Sequence, residues 1–395
     1  MRGHMTKRSQ GSWSIVLDMG RDPTTGKRRQ QWVSVKGTRK NAERRLTELL
    51  GQVDTGGFVK PVKEMLGTFL ERWVRDYAWP NLAPRTCEGY EHIIKQHLIP
   101  SLGSIPLSEI KPSQLQAYYA EKLDHGRKDG KGGLSPRTVQ HHHVTLHTAI
   151  QSAVKWGLLS RNLADAVDRP RYERKEMHTF DDEGLRAFLK VARETIYYAP
   201  FYVALFTGLR RSELLALRWD DIDLDMAQVY VTRALHRLRT GEIVYRTPKT
   251  AKSRRLVDLP PSAALVLRQH RDQQEALRAD LATGPVQGHD LVFTTLEGGP
   301  VLPDTFTHAW IKTARRAGFP HIRLHDARHS HATLLLKQGV HPKVVQERLG
   351  HASITTTLDT YSHVLPGMQQ SAAIGFDVVA LPVARAVVEV IEDLR

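Results

Sequence analysis

Residues 12–18, SWSIVLD, alternate polar and apolar positions in the period-2 manner of a strand, and residues 28–35, RRQQWVSV, do the same. Between them RDPTTGK holds Pro23 and Gly26 and predicts a turn. The period then changes. TRKNAERRLTELLGQV predicts an amphipathic helix with Thr38 as its N-cap, followed by a linker over residues 54–61, DTGGFVKP. Residues 62–168 read as helix throughout. Met65, Phe69 and Trp73 fall at i, i+4 and i+8. A second helix opens at Pro84 with a Thr86 cap and ends before Pro100 and Gly103. A third caps at Ser113, and a long one opens near Ser135-Pro136. Helices of this kind make a compact bundle. His141, His142 and His143 lie inside the long helix; consecutive helical residues point in different directions, so they are expected at surface and edge positions, not around one ion.

Residues 168–178, DRPRYERKEMH, lose periodicity and predict an interdomain linker. A mixed region follows. FDDEGLRAFLKVARE is helical, and YYAPFYVALFTGLRRSELLALRW is a buried helix, a break at Gly208 and a second helix. AQVYVTRA is a strand, and GEIVYRTPKTAKSRRLVDLP is expected to form a hairpin with a basic tip. Helices resume from residue 302. HPKVVQERLG sets Pro342 at its start and Gly350 past its end, the usual helix asymmetry. The expected fold is therefore multidomain: a small α+β module of sheet plus helix (residues 1–58), an all-α bundle (62–170), a mixed α+β, mainly helical domain (176–375) and a tail (376–395).

The chain has 395 residues with 57 Lys+Arg against 42 Asp+Glu, a formal charge of +15. The excess is uneven: residues 1–60 hold 13 Lys+Arg against 5 Asp+Glu, whereas residues 176–395 hold 27 against 25. A basic module ahead of a nearly neutral domain points to a nucleic acid as partner. Cys87 is the single cysteine, which excludes an internal disulfide and a thiolate metal cluster. No apolar run reaches the roughly 20 residues of a membrane span, and the N-terminus lacks a secretory apolar core. The expected location is the cytoplasm, at the bacterial nucleoid, with no membrane partner. The second methionine, Met5, is a candidate start, with residues 1–4 as a remnant ahead of it.

The chemistry concentrates in residues 324–335, LHDARHSHATLL. His325 and His329 could share a helix face around zinc. The zinc-protease pattern, however, needs a glutamate directly after the first histidine; Asp326 stands there instead, no third ligand is evident, and Arg328 would repel a cation. A phosphate grip fits better: Arg328 offers a planar fork, His325 lies on the same side, and a helix N-terminus favours anions. His329 and His331 are expected to pack or support. In TGLRRSE, Arg210 leads into a helix with Glu213 placed to fix its guanidinium. The tip of the expected hairpin gathers Arg246, Lys249, Lys252, Arg254 and Arg255. LGHASITTTLDTYSHV carries His351 and, ten residues on, Tyr361.

Taken in order, TGLRRSE, PKT on the expected β-hairpin, LHDARHSHAT, LGHAS and TLDTYSHV resemble the tyrosine recombinase family, specifically lambda-type phage integrases. The resemblance covers residues 207–364 and implies catalytic roles for Arg210, Lys249, His325, Arg328, His351 and the nucleophile Tyr361, with no cofactor and no metal. It implies cleavage and rejoining of DNA through a 3′-phosphotyrosyl intermediate, to integrate or excise a mobile element. Its implied partners are double-stranded attachment sites, a homotetramer assembled on DNA, a host DNA-bending protein and a directionality factor. It makes the sheet module an arm-type DNA-binding domain, the bundle a core-binding domain, and the tail a segment that docks on a neighbouring subunit. Candidate DNA contacts are Arg28, Arg29, Arg39, Lys40, Arg85, Arg137, Arg246, Lys252, Arg254 and Arg255. The alternatives are a conjugative-transposon recombinase with the same motifs, a type IB topoisomerase, and a non-catalytic DNA-binding regulator on the same fold.

Overall fold

The computed structural model describes residues 3–21, 25–54, 63–172, 177–247, 254–280, 290–361 and 373. It divides into two compact units, Met1–Arg174 and Lys175–Arg395. The first unit opens with an antiparallel sheet of β1 (Gly3–Ser9), β2 (Ser12–Arg21) and β3 (Arg28–Lys36), in that order, followed by α1 (Arg39–Asp54). Ile15, Leu17 and Leu49 form a core with Met5, Val33, Val35 and Leu46, so one sheet face is covered and the other is open. The sequence pattern did not reveal β1. GHMTKRS is held by its ladder to β2 more than by burial, and most of its side chains face solvent.

The helical part runs through α2 (Leu66–Trp73), α3 (Trp79–Asn81), α4 (Pro84–Ile93), α5 (Ile99–Leu102), α6 (Pro112–His125) and α7 (Pro136–Lys155). Met65 precedes α2 and is 43% exposed, whereas Phe69 and Trp73 are fully buried. Pro100 does not stop its helix. Wide π turns at Val74–Ala78 and Ile94–Leu98 come just before Pro80 and Pro100, and they carry the chain past each proline. A proline removes one helical hydrogen bond and its ring crowds the preceding turn, which a locally widened turn accommodates. α4 and α6 start two residues and one residue before the expected caps, at Pro84 and Pro112 behind Ala83 and Lys111. Ser135 caps α7 as expected, accepting from the Thr138 N–H at 3.2 Å.

The α7 histidines depart from expectation. His141 is exposed, but His142 and His143 are buried, 1% and 5% exposed. Each ring Nδ1 meets a tyrosine hydroxyl of α6 at 2.9 Å, Tyr118 for His142 and Tyr119 for His143. Those partners make burial tolerable, since an unpaired imidazole would forfeit its hydrogen bonds to water. Burial, with His97, Lys122, His141 and His92 nearby, lowers His142 to about 3. The unfolded chain therefore takes up a proton near 6.5 that the folded chain refuses, and stability falls as pH drops from about 6.5 towards 3, by up to ~1.4 kcal/mol per pH unit for this group. Urea titrations at pH 7 and 5 should show that loss, and His142→Gln should shrink it. An unchanged pH slope in the variant would place the acid sensitivity elsewhere.

The second unit contains α8 (Asp182–Ala192), α9 (Tyr198–Thr207) and α10 (Arg211–Leu214). The short strands β4 (Ile222–Asp223), β5 (Gln228–Val231), β6 (Ala234–Arg237), β7 (Ile243–Arg246) and β8 (Arg255–Asp258) come next. Then follow α11 (Pro261–Asp280), α12 (Pro303–Arg316), α13 (Leu324–Lys337), α14 (Pro342–Leu349) and α15 (Ile354–Tyr361). Phe188, Phe201, Phe306 and Trp310 fill the core centre, with the Phe188 and Trp310 rings 4.4 Å apart. The expected hairpin over residues 241–260 is not one among the described residues: β7 pairs with β6, while β8 pairs with β5. The reason is burial. Val257 of β8 lies opposite Val229 in the core, whereas Ile243, Val244 and Tyr245 of β7 are half-buried. The stretch thus crosses from one sheet to another, and its tip, residues 248–253, lies outside the described residues, as does the tail at 376–395.

Candidate active site

The site grows from two left-handed glycines. Gly208 ends α9 at φ +65°, and a Cβ there would lie 2.7 Å from both His331 and Leu349. Gly350 ends α14 at φ +66°, where a Cβ would meet the Arg255 guanidinium at 2.9 Å. At both positions the backbone conformation and the close approach independently require glycine.

Around the end of α14 three arginines converge from three elements. Arg255, first residue of β8, donates through Nε to the Arg348 carbonyl at 2.7 Å. Arg328 of α13 donates through Nη2 to the Leu349 carbonyl at 2.6 Å and through Nη1 to the Gly208 carbonyl at 2.8 Å. Arg210, just before α10, donates through Nη2 to the Gly350 carbonyl at 3.1 Å. The final carbonyls of a helix have no partner within it and carry its negative dipole end, so cations are the groups they attract. Consecutive carbonyls 348, 349 and 350 thereby set the spacing of three guanidiniums.

Glu213 supplies the counter-charge, as its spacing from Arg210 predicted. Its Oε1 accepts from Arg210 Nη1 at 2.7 Å, and its Oε2 from the Arg210 backbone N–H at 2.9 Å and from Arg255 Nη2 at 2.9 Å. Burial pushes this carboxyl up, but the hydrogen bond and charge of Arg255, with Arg210, outweigh it and hold the group below its ordinary range. Three guanidiniums against one carboxylate leave the cluster cationic. Arg328 is 3% exposed, while the Arg210 side chain is 37% exposed.

His325 lies in the first turn of α13, its ring edge-on to His329 at 4.8 Å. Burial and then Arg328 lower its pKa below the usual histidine range. With Arg328 it lines a cavity of about 310 Å³ walled by Leu209, Leu214 and Thr307. His351 meets the Thr357 hydroxyl through Nδ1 at 2.9 Å, and burial, followed by Arg328 and Arg210, lowers it to about 4. Both imidazoles are thus neutral near pH 7. Thr357 belongs to α15, and Tyr361, four residues on, shares its helix face; for Tyr361 the described part is the backbone. Lys249 falls outside the described residues. His331 packs under the site, accepting from Arg348 Nε at 3.0 Å, and burial lowers it to about 3. Asp326, weighed as a departure from a zinc motif, is the N-terminal brace of α13, taking the Arg323 backbone N–H at 2.8 Å and both arms of its guanidinium. Among the described residues no group of three or more His, Cys, Asp or Glu could hold a metal.

The expected DNA contacts scatter. Arg28, Arg39 and Lys40 are exposed in the sheet module, Arg28 paired with Asp18 and Arg39 with Glu43; of Arg29 the backbone is described. Arg85 is exposed near Glu88, and Arg137 lies over the Tyr172 ring at 5.8 Å. Arg246 and Arg254 line a cavity of about 400 Å³ with Arg218, Arg233 and Tyr245. Lys252 is outside the described residues. Arg255 is the correction: its side chain is 6% exposed, with Nε on the Arg348 carbonyl and both terminal nitrogens on Glu213, so its whole fork is turned inward and none of it is left to face a groove. Sequence reasoning missed Arg218 and Arg233, single arginines in separate segments whose convergence no local pattern shows. It also passed over Trp32, 60% exposed on the open sheet face, which the alternation of Val33 and Val35 on the covered face could have revealed.

The sequence profile described as the phage integrase family matches residues 178–367, and that of the phage integrase N-terminal SAM-like domain matches residues 65–123. A tyrosine recombinase XerC-like protein of Caldanaerobacter subterraneus subsp. tengcongensis is 29% identical over 386 residues, covering 93% of this chain and 96% of that protein. Among solved structures, the Tn1549 transposon integrase in complex with a circular intermediate DNA aligns with TM-score 0.67 at 20% identity, over 78% of this chain and 98% of that one. A lambda integrase tetramer bound to a Holliday junction aligns with TM-score 0.54 at 17% identity, over 90% and 94%.

Proposed function

The chain belongs to the phage integrase family, and from that premise we propose that it integrates or excises a mobile element through a 3′-phosphotyrosyl intermediate. It is a tyrosine recombinase acting on DNA at specific sites. The observation that carries the finer reading is the convergence of Arg210, Arg328, His325 and His351 about the end of α14, one helix away from Tyr361.

In this reading the Tyr361 oxygen attacks the scissile phosphorus, the bond from phosphorus to the 5′ oxygen breaks, and a 5′-hydroxyl departs. Neutral His325 takes the phenolic proton, and Lys249 gives a proton to the leaving oxygen. Arg210 and Arg328 hold the non-bridging oxygens as charge builds on them. If Nδ1 of His351 accepts from Thr357, its Nε2 carries the hydrogen and donates to the same phosphate. Rejoining reverses these steps, since the phosphotyrosyl bond conserves the energy of the phosphodiester. Arm-type binding by residues 1–58, core binding by 62–170, catalysis by 176–375 and subunit docking by 376–395 complete the proposal, with assembly as a tetramer on DNA in the bacterial cytoplasm, aided by a host DNA-bending protein and a directionality factor. The lambda integrase tetramer bound to a Holliday junction supports that assembly. The Tn1549 neighbour keeps a conjugative-transposon role as the second reading. Among the described residues no helix is long and apolar enough to cross a membrane.

A nicked duplex carrying the element's attachment core tests the proposal. The short 5′-hydroxyl fragment diffuses away, so the protein should accumulate as a covalent adduct on a denaturing gel. Specific binding of that DNA without any adduct would instead support a non-catalytic regulator. The arginine-lined cavity adds a second expectation: Arg246→Gln with Arg254→Gln, the exposed pair of its lining, should weaken binding to all duplexes alike and flatten the slope of log affinity against log salt by roughly 1–2. A sequence-dependent loss at unchanged slope would show that these arginines do not meet phosphates.

A further inference from the structure

Arg255 has no part in the roles above, yet it is more completely built into the cluster than Arg210. Its Nε is spent on the Arg348 carbonyl, and both its terminal nitrogens reach Glu213, at 3.3 Å to Oε1 and 2.9 Å to Oε2. Glu213 in turn takes the Arg210 guanidinium and the Arg210 backbone N–H. The four bonds to this carboxylate thus come from two arginines, one facing inward and one 37% exposed at the surface of the cluster. Gly350 leaves room for that arrangement, because a Cβ there would press on the Arg255 guanidinium at 2.9 Å and on its Cδ at 3.1 Å.

We infer that Arg255 is a positioning residue, which fixes Glu213 against the end of α14 and through it holds Arg210 in the orientation that receives the scissile phosphate. The inference rests on the proposed phosphoryl transfer. Without Arg255, Glu213 would keep one cationic partner in place of two. Arg210, with a flexible side chain, would then be set by Glu213 and the Gly350 carbonyl alone. A clamp held within a fraction of an ångström is what preorganised charge stabilisation requires. A lysine at 255 would keep the charge but could not serve the Arg348 carbonyl and both carboxylate oxygens with a planar fork.

The test uses the full-length protein and Arg255→Lys, which retains the buried charge, with thermal melting and DNA binding measured alongside. Single-turnover cleavage is read on a nicked duplex whose scissile linkage is either the phosphodiester or a neutral methylphosphonate. A misplaced Arg210 matters when a charged oxygen needs neutralising and matters little when that charge is gone. The expected result is a cleavage rate down about 10–100-fold on the phosphodiester and less than about threefold on the methylphosphonate, with binding nearly unchanged. Glu213→Gln should reproduce the same split, and gives a second route if Arg255→Lys lowers the melting temperature below the assay range. An equal loss on both substrates, or no loss, overturns the inference. Failure of the wild-type protein to cleave either substrate would strike at the proposed function itself, a separate outcome.

Discussion

Tyr361→Phe is expected to abolish covalent attachment to DNA while leaving specific binding within a few fold of wild type. The change removes one oxygen, and that oxygen is the proposed nucleophile. Thr357, on the same helix face, cannot take its place without moving, since it is fully buried and bonded to His351. A phenol needs its proton removed to attack, and the neutral state of His325, maintained by burial and Arg328, provides a base at physiological pH. Nicked attachment DNA incubated with wild type and variant side by side reads the result on a denaturing gel, with a gel-shift under native conditions as the binding control. Any adduct formed by the variant moves the nucleophile elsewhere, with Ser362 and Thr360 the adjacent hydroxyls to examine.

The second large effect is expected from Arg328→Lys. Arg328 bridges the Gly208 and Leu349 carbonyls with its two terminal nitrogens. One ammonium cannot span both and also present a fork to two phosphate oxygens. Cleavage should slow by about 10²–10³-fold, the range for losing one preorganised donor to a developing oxyanion. The buried carbonyl left unpaired should lower stability by about 1–3 kcal/mol. Single-turnover kinetics and thermal melting separate the two effects. A variant that melts lower but cleaves at the wild-type rate would make Arg328 a structural tie between α9, α13 and α14, not part of the clamp.

What the chain disclosed in advance was local. The alternation in β2 and β3, the Pro342 and Gly350 bounds of α14, the break at Gly208 and the Arg210–Glu213 brace all depend on residues within a turn or two of each other. What stayed hidden was set by partners distant in sequence. His142 and His143 looked like surface residues because nothing near them announces Tyr118 and Tyr119, 24 positions away. Arg255 looked like part of a basic tip because its partner Glu213 lies 42 positions back and the Arg348 carbonyl 93 positions ahead. The hairpin over residues 241–260 was misread for a related reason: a basic turn between two apolar runs fits both a hairpin and a crossing between sheets, and Val229 decides the matter. The candidate site was legible through its motifs, but its support was not.

The way the cluster closes has a consequence during synthesis. Arg210, Arg255 and Arg328 leave the ribosome in that order, and none can meet its carbonyl at the end of α14 until residues 348–350 follow. Tyr361 follows Arg210 by 151 positions, which at roughly 5–20 residues per second take about 8–30 s. For that interval the arginine cluster lacks the α14 end that spaces it. The apparatus that breaks strands is still in separate pieces. Under the proposed roles, strand breakage waits on residues 348–361, the last of the cluster to be made.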